Sequence, residues 1–237
     1  MKKYCFTEET CVVDGHVLHR IKALIGIPPR NVRAGDLGGF IECEENLSHE
    51  DDAWVSGDAC VYGAARVSAS AIVTGDARVY DGAMISGNAW VVEEAHVFGQ
   101  AWVAGFSKIG RKSRISGYAM VYGSCILAGD IHVSDYACVY GTVFLRGNAK
   151  LSEHAWVFGS ASIKDNAEIS GHARVFGNAL IRDNARIYGD AFVFGNAIVS
   201  EHGQVCGNTR VYQNAVISGN AKVDGEEFFK GDTVIVD

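Results

Sequence analysis

The sequence predicts an all-β solenoid of triangular coils, eighteen residues to the coil. Three observations predict it: an aliphatic residue at every sixth position over most of the chain, a second period of eighteen in the residues beside it, and 28 glycines against only two prolines in 237 residues. Hydrophobic residues make up 48% and charged residues 21%, which excludes wholesale disorder, and frequent glycine without proline excludes collagen and proline-rich linkers.

The six-residue unit supplies the rungs. Counting from Val55 in steps of six to Val223, all 29 positions are Val, Ile or Leu; two residues earlier 22 of the 29 are Ala, and two residues later 19 are Gly. Alternate side chains of a strand share a face, so the Ala and the aliphatic residue of A-x-V both point inward. The Gly-Asn pairs that follow read as corners, because both residues tolerate the left-handed backbone of a tight turn. No helical period holds this pattern, and Pro would interrupt the ladder between coils.

The eighteen-residue period supplies the triangle. Directly after the core residue, Tyr62, Tyr80 and Phe98 recur at eighteen, as do Tyr122, Tyr140, Phe158, Phe176, Phe194 and Tyr212, and the serines Ser116, Ser134, Ser152 and Ser170. The step from Phe98 to Tyr122 is 24, one hexapeptide more than a coil. That surplus is placed near Phe106–Arg111, as a bulging loop or as a rotation of the outer pattern by one face.

Units such as V-F-G-N-A-L and I-Y-G-D-A-F resemble the hexapeptide repeat of left-handed parallel β-helix proteins, over about residues 53–225. The resemblance implies a left-handed parallel β-helix, against the usual right-handed crossover. Residues 1–52 lack the repeat and are expected to form a small N-terminal cap, with a strand pair or short helix around Val17–Ile25 and a turn at Pro28-Pro29. An open strand edge needs covering. The string A-G-D-L-G-G-F-I-E-x-E-x-N-L-S, Ala34 to Ser48, leading into Ala53-Trp54-Val55, resembles the start of YdcK-like β-helix proteins. The resemblance implies a family of unsettled function, also phage-encoded, whose transferase label rests on fold. Residues 226–237 are expected to cap the other end.

Formal net charge is −7, from 21 basic and 28 acidic side chains, which disfavours general binding of nucleic acid or anionic membranes. No stretch approaches eighteen apolar residues, and the start, MKKYCFTEET, turns acidic where a secretory signal has its apolar core. The seven cysteines contain no CxxC pair, so reduced thiols and a cytoplasmic location are expected.

Many hexapeptide-repeat proteins are acyl-CoA or nucleotide-sugar acyltransferases, typically trimeric, with a general-base His and a loop interrupting the coils. What that resemblance implies here is acetyl-CoA or another acyl-CoA as cofactor and a base among His96, His132, His154, His172 and His202. His154 and His172 stand one coil apart at one corner and are the candidates for an inter-subunit active site. The unbroken register leaves little room for a substrate loop. The γ-class carbonic anhydrases of this fold hold zinc with an H-x4-H pair, which this sequence lacks, so no metal site is expected. Lys108, Arg111, Lys112 and Arg114 are the candidate site for an anion or an acidic partner; their string G-F-S-K-I-G-R-K-S fails as a P-loop, because Lys does not directly follow the second Gly. Arg146, Lys164 and Arg182 stack like charges at eighteen, with Asp165 and Asp183 beside them as neutralising partners.

The strongest outward signal is apolar. Met120/Tyr122, Cys138/Tyr140, Trp156/Phe158 and Phe192/Phe194 place two large apolar residues on the same rung, and the neighbouring face adds Ile126, Phe144, Leu180, Ile198 and Val216. Such a stripe is expected to be covered by a second copy, a foreign partner or the N-terminal segment. Its interface residues are Tyr122, Tyr140, Trp156, Phe158, Phe176, Phe192, Phe194 and Tyr212, with Arg174 and Arg210 interspersed. The leading expectation is a non-catalytic binding or scaffold protein without cofactor. It forms a homo-oligomer, dimer or trimer, binds neither nucleic acid nor membrane, and as a phage or mobile-element product meets a host protein. The acyl-CoA-dependent acyltransferase is the alternative.

Overall fold

A computed structural model describes residues 2–237. It is all-β apart from two short 3-10 turns, Pro28–Arg30 and Glu44–Asn46, and it divides into two compact units, one ending at Gly117 and one running from Tyr118 to Asp237.

In the first unit, β1 (Tyr4–Val13) and β2 (His16–Ala23) form an antiparallel hairpin around Asp14-Gly15, both with positive φ, and β3 (Leu37–Ile41) pairs antiparallel with β2. On its other edge β3 pairs parallel with Cys60–Val61, so the N-terminal segment continues a solenoid sheet and covers the edge that would otherwise lie open. From Trp54–Val55 onward a short strand appears every six residues, and within this unit strands eighteen residues apart pair parallel and in register: Trp54↔Ile72, Cys60↔Arg78, Arg66↔Met84. Lys108–Arg111 pairs with Trp90–Val91 at the same eighteen-residue offset, so the interval around Phe106–Arg111 is an ordinary rung and not a bulging loop. The first aromatic column ends at Phe98, and Ser116 takes its place one coil on.

The string from Ala34 to Ser48 owes its residues to this junction. A Cβ on Gly38 would lie 2.7 Å from the Val55 carbonyl oxygen, and one on Gly39 2.6 Å from that of Ala59, so β3 reaches the first coil only without side chains there. Asn46 is fully buried: its Oδ1 accepts from the backbone N–H of Glu42 and Cys43, while its Nδ2 donates to the carbonyls of Gly63 and Ala65. Leu47 beside it is fully buried in the core.

The second unit repeats the coil from Met120–Gly123 to Val234–Val236 on three ladders, which start at Met120, Ile126 and His132. The segment after Val223 enters as two further strands: Phe228–Phe229 pairs with Arg210–Val211, and Val234–Val236 with Val216–Ser218. In both units the inward Ala and aliphatic columns are buried at or near 0% exposure, which leaves only the outer positions free to vary. Thr209 interrupts the Ala column, and its buried hydroxyl has no hydrogen-bond partner. Thr209→Val is therefore expected to raise stability by about 1–2 kcal/mol, read as an increase in melting temperature, because it removes an unsatisfied buried polar group at nearly constant volume.

The corners differ from the expectation in one respect. Positive φ falls on the first corner residue, not on the Asn that follows it. All ten non-glycine residues at that place have positive φ, and seven of them are Asp or Glu, namely Asp81, Glu93, Asp135, Glu153, Asp165, Asp183 and Glu201. Each of these carboxylates accepts the backbone N–H of the corner residue one coil on, as in Glu153 to Gly171 at 2.6 Å and Glu201 to Gly219 at 2.8 Å. A charge-assisted bond of this kind offsets the cost of about 1–2 kcal/mol for a left-handed non-glycine residue. The Asn residues form their own ladders, Asn148 to Asn166 to Asn184 and Asn178 to Asn196 to Asn214.

Candidate functional site

In-register stacking converts an eighteen-residue period into columns of like side chains about 4.8 Å apart. In the second unit, Tyr122, Tyr140, Phe158, Phe176, Phe194 and Tyr212 stack with ring centroids 4.7–5.2 Å apart and planes within 5° of parallel. Each ring is half-buried by its neighbours. Their edges, and not their faces, therefore point away from the sheet.

The column two residues earlier on the same strands runs Met120, Cys138, Trp156, Arg174, Phe192, Arg210, Phe228. Here cation and aromatic alternate. The Arg174 guanidinium carbon lies 5.7 Å from the Trp156 centroid and 5.3 Å from that of Phe192, and Arg210 lies 5.4 Å from Phe192 and 5.3 Å from Phe228. Trp156 is 42% exposed and Met120 37%, whereas Cys138 is buried between the columns. Burial raises the Tyr122 and Tyr140 hydroxyls and the Cys138 thiol above their ordinary values, so near pH 7 the face carries no charge but its arginines.

The first unit shows how the first ring of its own aromatic column is covered. Tyr62, Tyr80 and Phe98 stack in the same way, at 5.1 and 4.9 Å. The tip of the β1–β2 hairpin lies over the first ring: the Tyr62 hydroxyl donates to Asp14 Oδ2 at 2.6 Å, and the His16 ring sits 5.1 Å from Tyr62. Tyr62 is left 2% exposed, with Leu18, Phe40 and Cys60 in the same cluster.

His154 and His172 end a stack of Tyr118, Tyr136, His154 and His172, the two imidazoles 4.8 Å apart and 4° from parallel. Both are exposed, and neither bonds a carboxylate that would orient it. Among the described residues no group of three or more His, Cys, Asp or Glu is arranged to hold a metal ion. His96, on a strand paired with those of Arg78 and Arg114, has its pKa lowered by burial and by the two arginines. His132 pairs with Asp130 at 3.3 Å, and His202 lines a groove of about 420 Å³ with Asn166, Glu168, Asn184, Arg186 and Gln204. Glu168 bridges to Arg186 at 2.8 Å and to Lys150 at 3.4 Å; burial pushes its carboxyl up, but these bonds bring it below the ordinary range.

The basic cluster is not gathered into one site. Lys108 lies 5.8 Å from the Trp90 ring on one ladder, Arg114 shares another with His96, and Arg111 and Lys112 occupy the corner between. The Arg111 N–H donates to Glu93, and Lys112 Nζ lies 3.9 Å from Glu94. The Lys150–Glu168–Arg186 ladder and the corner carboxylates escaped the sequence reading, although acids and bases at eighteen-residue spacing signal both.

One stretch of these columns is similar to a known family of repeats. Residues 185–201, one residue short of a coil and running through Phe192 and Phe194, match the model of the YdcK beta solenoid repeat. Over those residues the chain is similar to the YdcK solenoid repeat. No curated protein matches the chain. That similarity covers one stretch with its glycine corners, Gly189 and Gly195; what distinguishes one coil from the next is the outward pair of columns.

Proposed function

We propose that this YdcK-repeat chain is a non-catalytic binding protein that assembles with a second copy of itself through the aromatic face of the second unit. The observation that carries this reading is the column of exposed Trp156, Arg174 and Arg210 around the half-buried Phe192, set beside a half-buried aromatic ladder. Trp, Tyr, Phe and Arg are the residues enriched at the centres of protein interfaces, and a contiguous apolar strip is costly to leave in water. The hairpin over Tyr62 is a precedent within the chain for covering such a column.

The test uses the flank of the face. Phe158 and Phe194 support the ladder from within, so changing them disturbs the fold, whereas the exposed Trp156 does not hold the stack together. Trp156→Glu is expected to lower the mass seen by light scattering to that of a single chain, with an unchanged circular dichroism spectrum. An unaltered mass would sink the interface. Calorimetry with acetyl-CoA on the wild type and on a His154/His172 double alanine variant is expected to give no heat of binding.

A further inference from the structure

The ladder of the second unit that starts at Ile126 carries two outward columns that differ in chemistry. One is apolar: Ile126, Phe144, Leu180, Ile198 and Val216, interrupted only by Ser162, with Phe144 38% exposed and the others half-buried. The other, two residues further along the same strands, is the basic series Arg146, Lys164 and Arg182. The two columns lie about 7 Å apart on one flat face.

The basic series is not neutralised as its sequence neighbours suggest. Asp165 turns its carboxylate to the backbone N–H of Asp183, and Asp183 to that of Glu201. Arg182 alone reaches one of them, Nη1 lying 3.4 Å from Asp183 Oδ2. Among the described residues neither Arg146 nor Lys164 makes an ion pair. Like charges on neighbouring rungs cost stability, and a series with two of its three cations unpaired stands out in a chain whose net charge is −7.

We infer that this face binds an amphipathic α-helix of a partner protein, with an acidic stripe on the Arg146–Lys164–Arg182 series and an apolar stripe on Phe144, Leu180 and Ile198. The repeat of the face selects a helix over an extended chain. A helix advances about 5.4 Å per turn and the coils about 4.8 Å, so a helix tilted by about 27° from the solenoid axis meets one coil per turn. Acids at i, i+4 and i+7 then each face one basic residue. An extended peptide repeats at about 6.8 Å and keeps step only at a tilt of about 45°, which carries it sideways by about 4.8 Å per coil against about 2.5 Å for the helix. The apolar column, which a bare polyanion would leave in water, favours a partner with a hydrophobic stripe. The inference rests on reading the chain as a binding protein, but it uses a different face from the self-association, so the two can fail separately.

The probe is a synthetic helical peptide of about twenty residues, long enough to hold a helix, with Glu at i, i+4, i+7 and i+11 and Leu on the adjoining stripe. Calorimetry against the full chain is expected to give saturable binding that weakens about tenfold in Arg146→Glu/Lys164→Glu/Arg182→Glu. Raising the salt from about 0.05 to 0.5 M is expected to weaken it by a similar factor. Leu180→Asn with the basic series intact is expected to weaken it as well. The substituted positions are on the outer surface, and an unchanged melting temperature certifies the fold. The proposal is overturned if a scrambled peptide binds equally, or if the triple variant binds as wild type does. It is also overturned if polyglutamate or a single-stranded oligonucleotide competes at equal charge whether or not Leu180 is replaced. A change of oligomeric mass in the triple variant would assign the face to a second copy instead.

Discussion

Gly141→Ala is expected to destabilise the protein by about 2–4 kcal/mol, while Gly63→Ala at the same corner place costs about 1 kcal/mol. Gly141 has φ +93, and a Cβ there would meet the Gly159 carbonyl oxygen at 2.7 Å. Gly63 has φ +65, close to the +55 of Ala69, and its Cβ would find Asp81 backbone atoms no nearer than 3.2 Å. Both substitutions carry the strain of a left-handed alanine, and only the first also drives a side chain into the coil above. Thermal melting of the two variants separates the terms: the larger drop belongs to Gly141→Ala, and equal drops would show that the coils part to admit a methyl group.

The second large effect is a dependence on pH. Lys3 is 1% exposed, its ammonium donating to the Ala53 carbonyl at 2.7 Å, with those of Glu50 and Asp51 at 3.4 Å. Burial lowers its pKa from 10.5 to about 8, against the pull of Asp52 and Asp51. Because the folded value is the lower one, the unfolded chain holds more protons between pH 8 and 10.5, and the Lys3 contribution to stability rises across that window. The rise amounts to about 3 kcal/mol at 1.36 kcal/mol per unit. Cys60 acts with the opposite sign: burial raises its thiol from 9.0 to about 12, so its contribution is present below pH 9 and declines above it. The measurement is therefore a difference, the unfolding free energy of wild type minus that of Lys3→Met, followed from pH 7 to 10.5. That difference is expected to climb by about 3 kcal/mol, and a flat line would show that Lys3 gains access to water.

Much of the fold is legible in the residues because the solenoid is a one-dimensional object. Val55, Val61 and Val67 announce their strands by spacing alone, since each coil meets only the coils beside it and every rung imposes the same demand for a narrow apolar interior. The N-terminal segment obeys no such repetition. The strand Tyr4–Val13 reads as acidic and irregular, and only its partner around Val17–Ile25 shows a strand-like signal, because the hairpin's pairing and its contacts with the first coils, such as Tyr62 with Asp14, follow no repeat. The corner carboxylates are hidden for a related reason. Asp135 beside Ser134 looks like a solvated acid until the N–H of Glu153, eighteen residues on, is placed within 3.0 Å.

The candidate faces divide along the same line. The aromatic column from Tyr122 to Tyr212 is legible as a column, and its stacking follows from register. That the rings turn their edges outward, and that Arg174 and Arg210 sit between Trp156, Phe192 and Phe228, depends on side-chain packing across coils.

By itself the sequence determined the architecture: coils of eighteen residues, aliphatic and alanine columns inside, glycine at the corners and two prolines kept out of the ladders. Spacing suffices for that, because a strand has period two and a triangle has three sides. Only the tertiary structure decided which charges are satisfied. Asp165 stands beside Lys164 in the chain, yet its carboxylate turns to the backbone N–H of Asp183 one coil away, and Asp183 divides its own between the Glu201 N–H and Arg182. A fixed, left-handed amide donor competes for a carboxylate more effectively than a long and mobile cation does. That competition, invisible in the order of residues, leaves Arg146 and Lys164 facing outward.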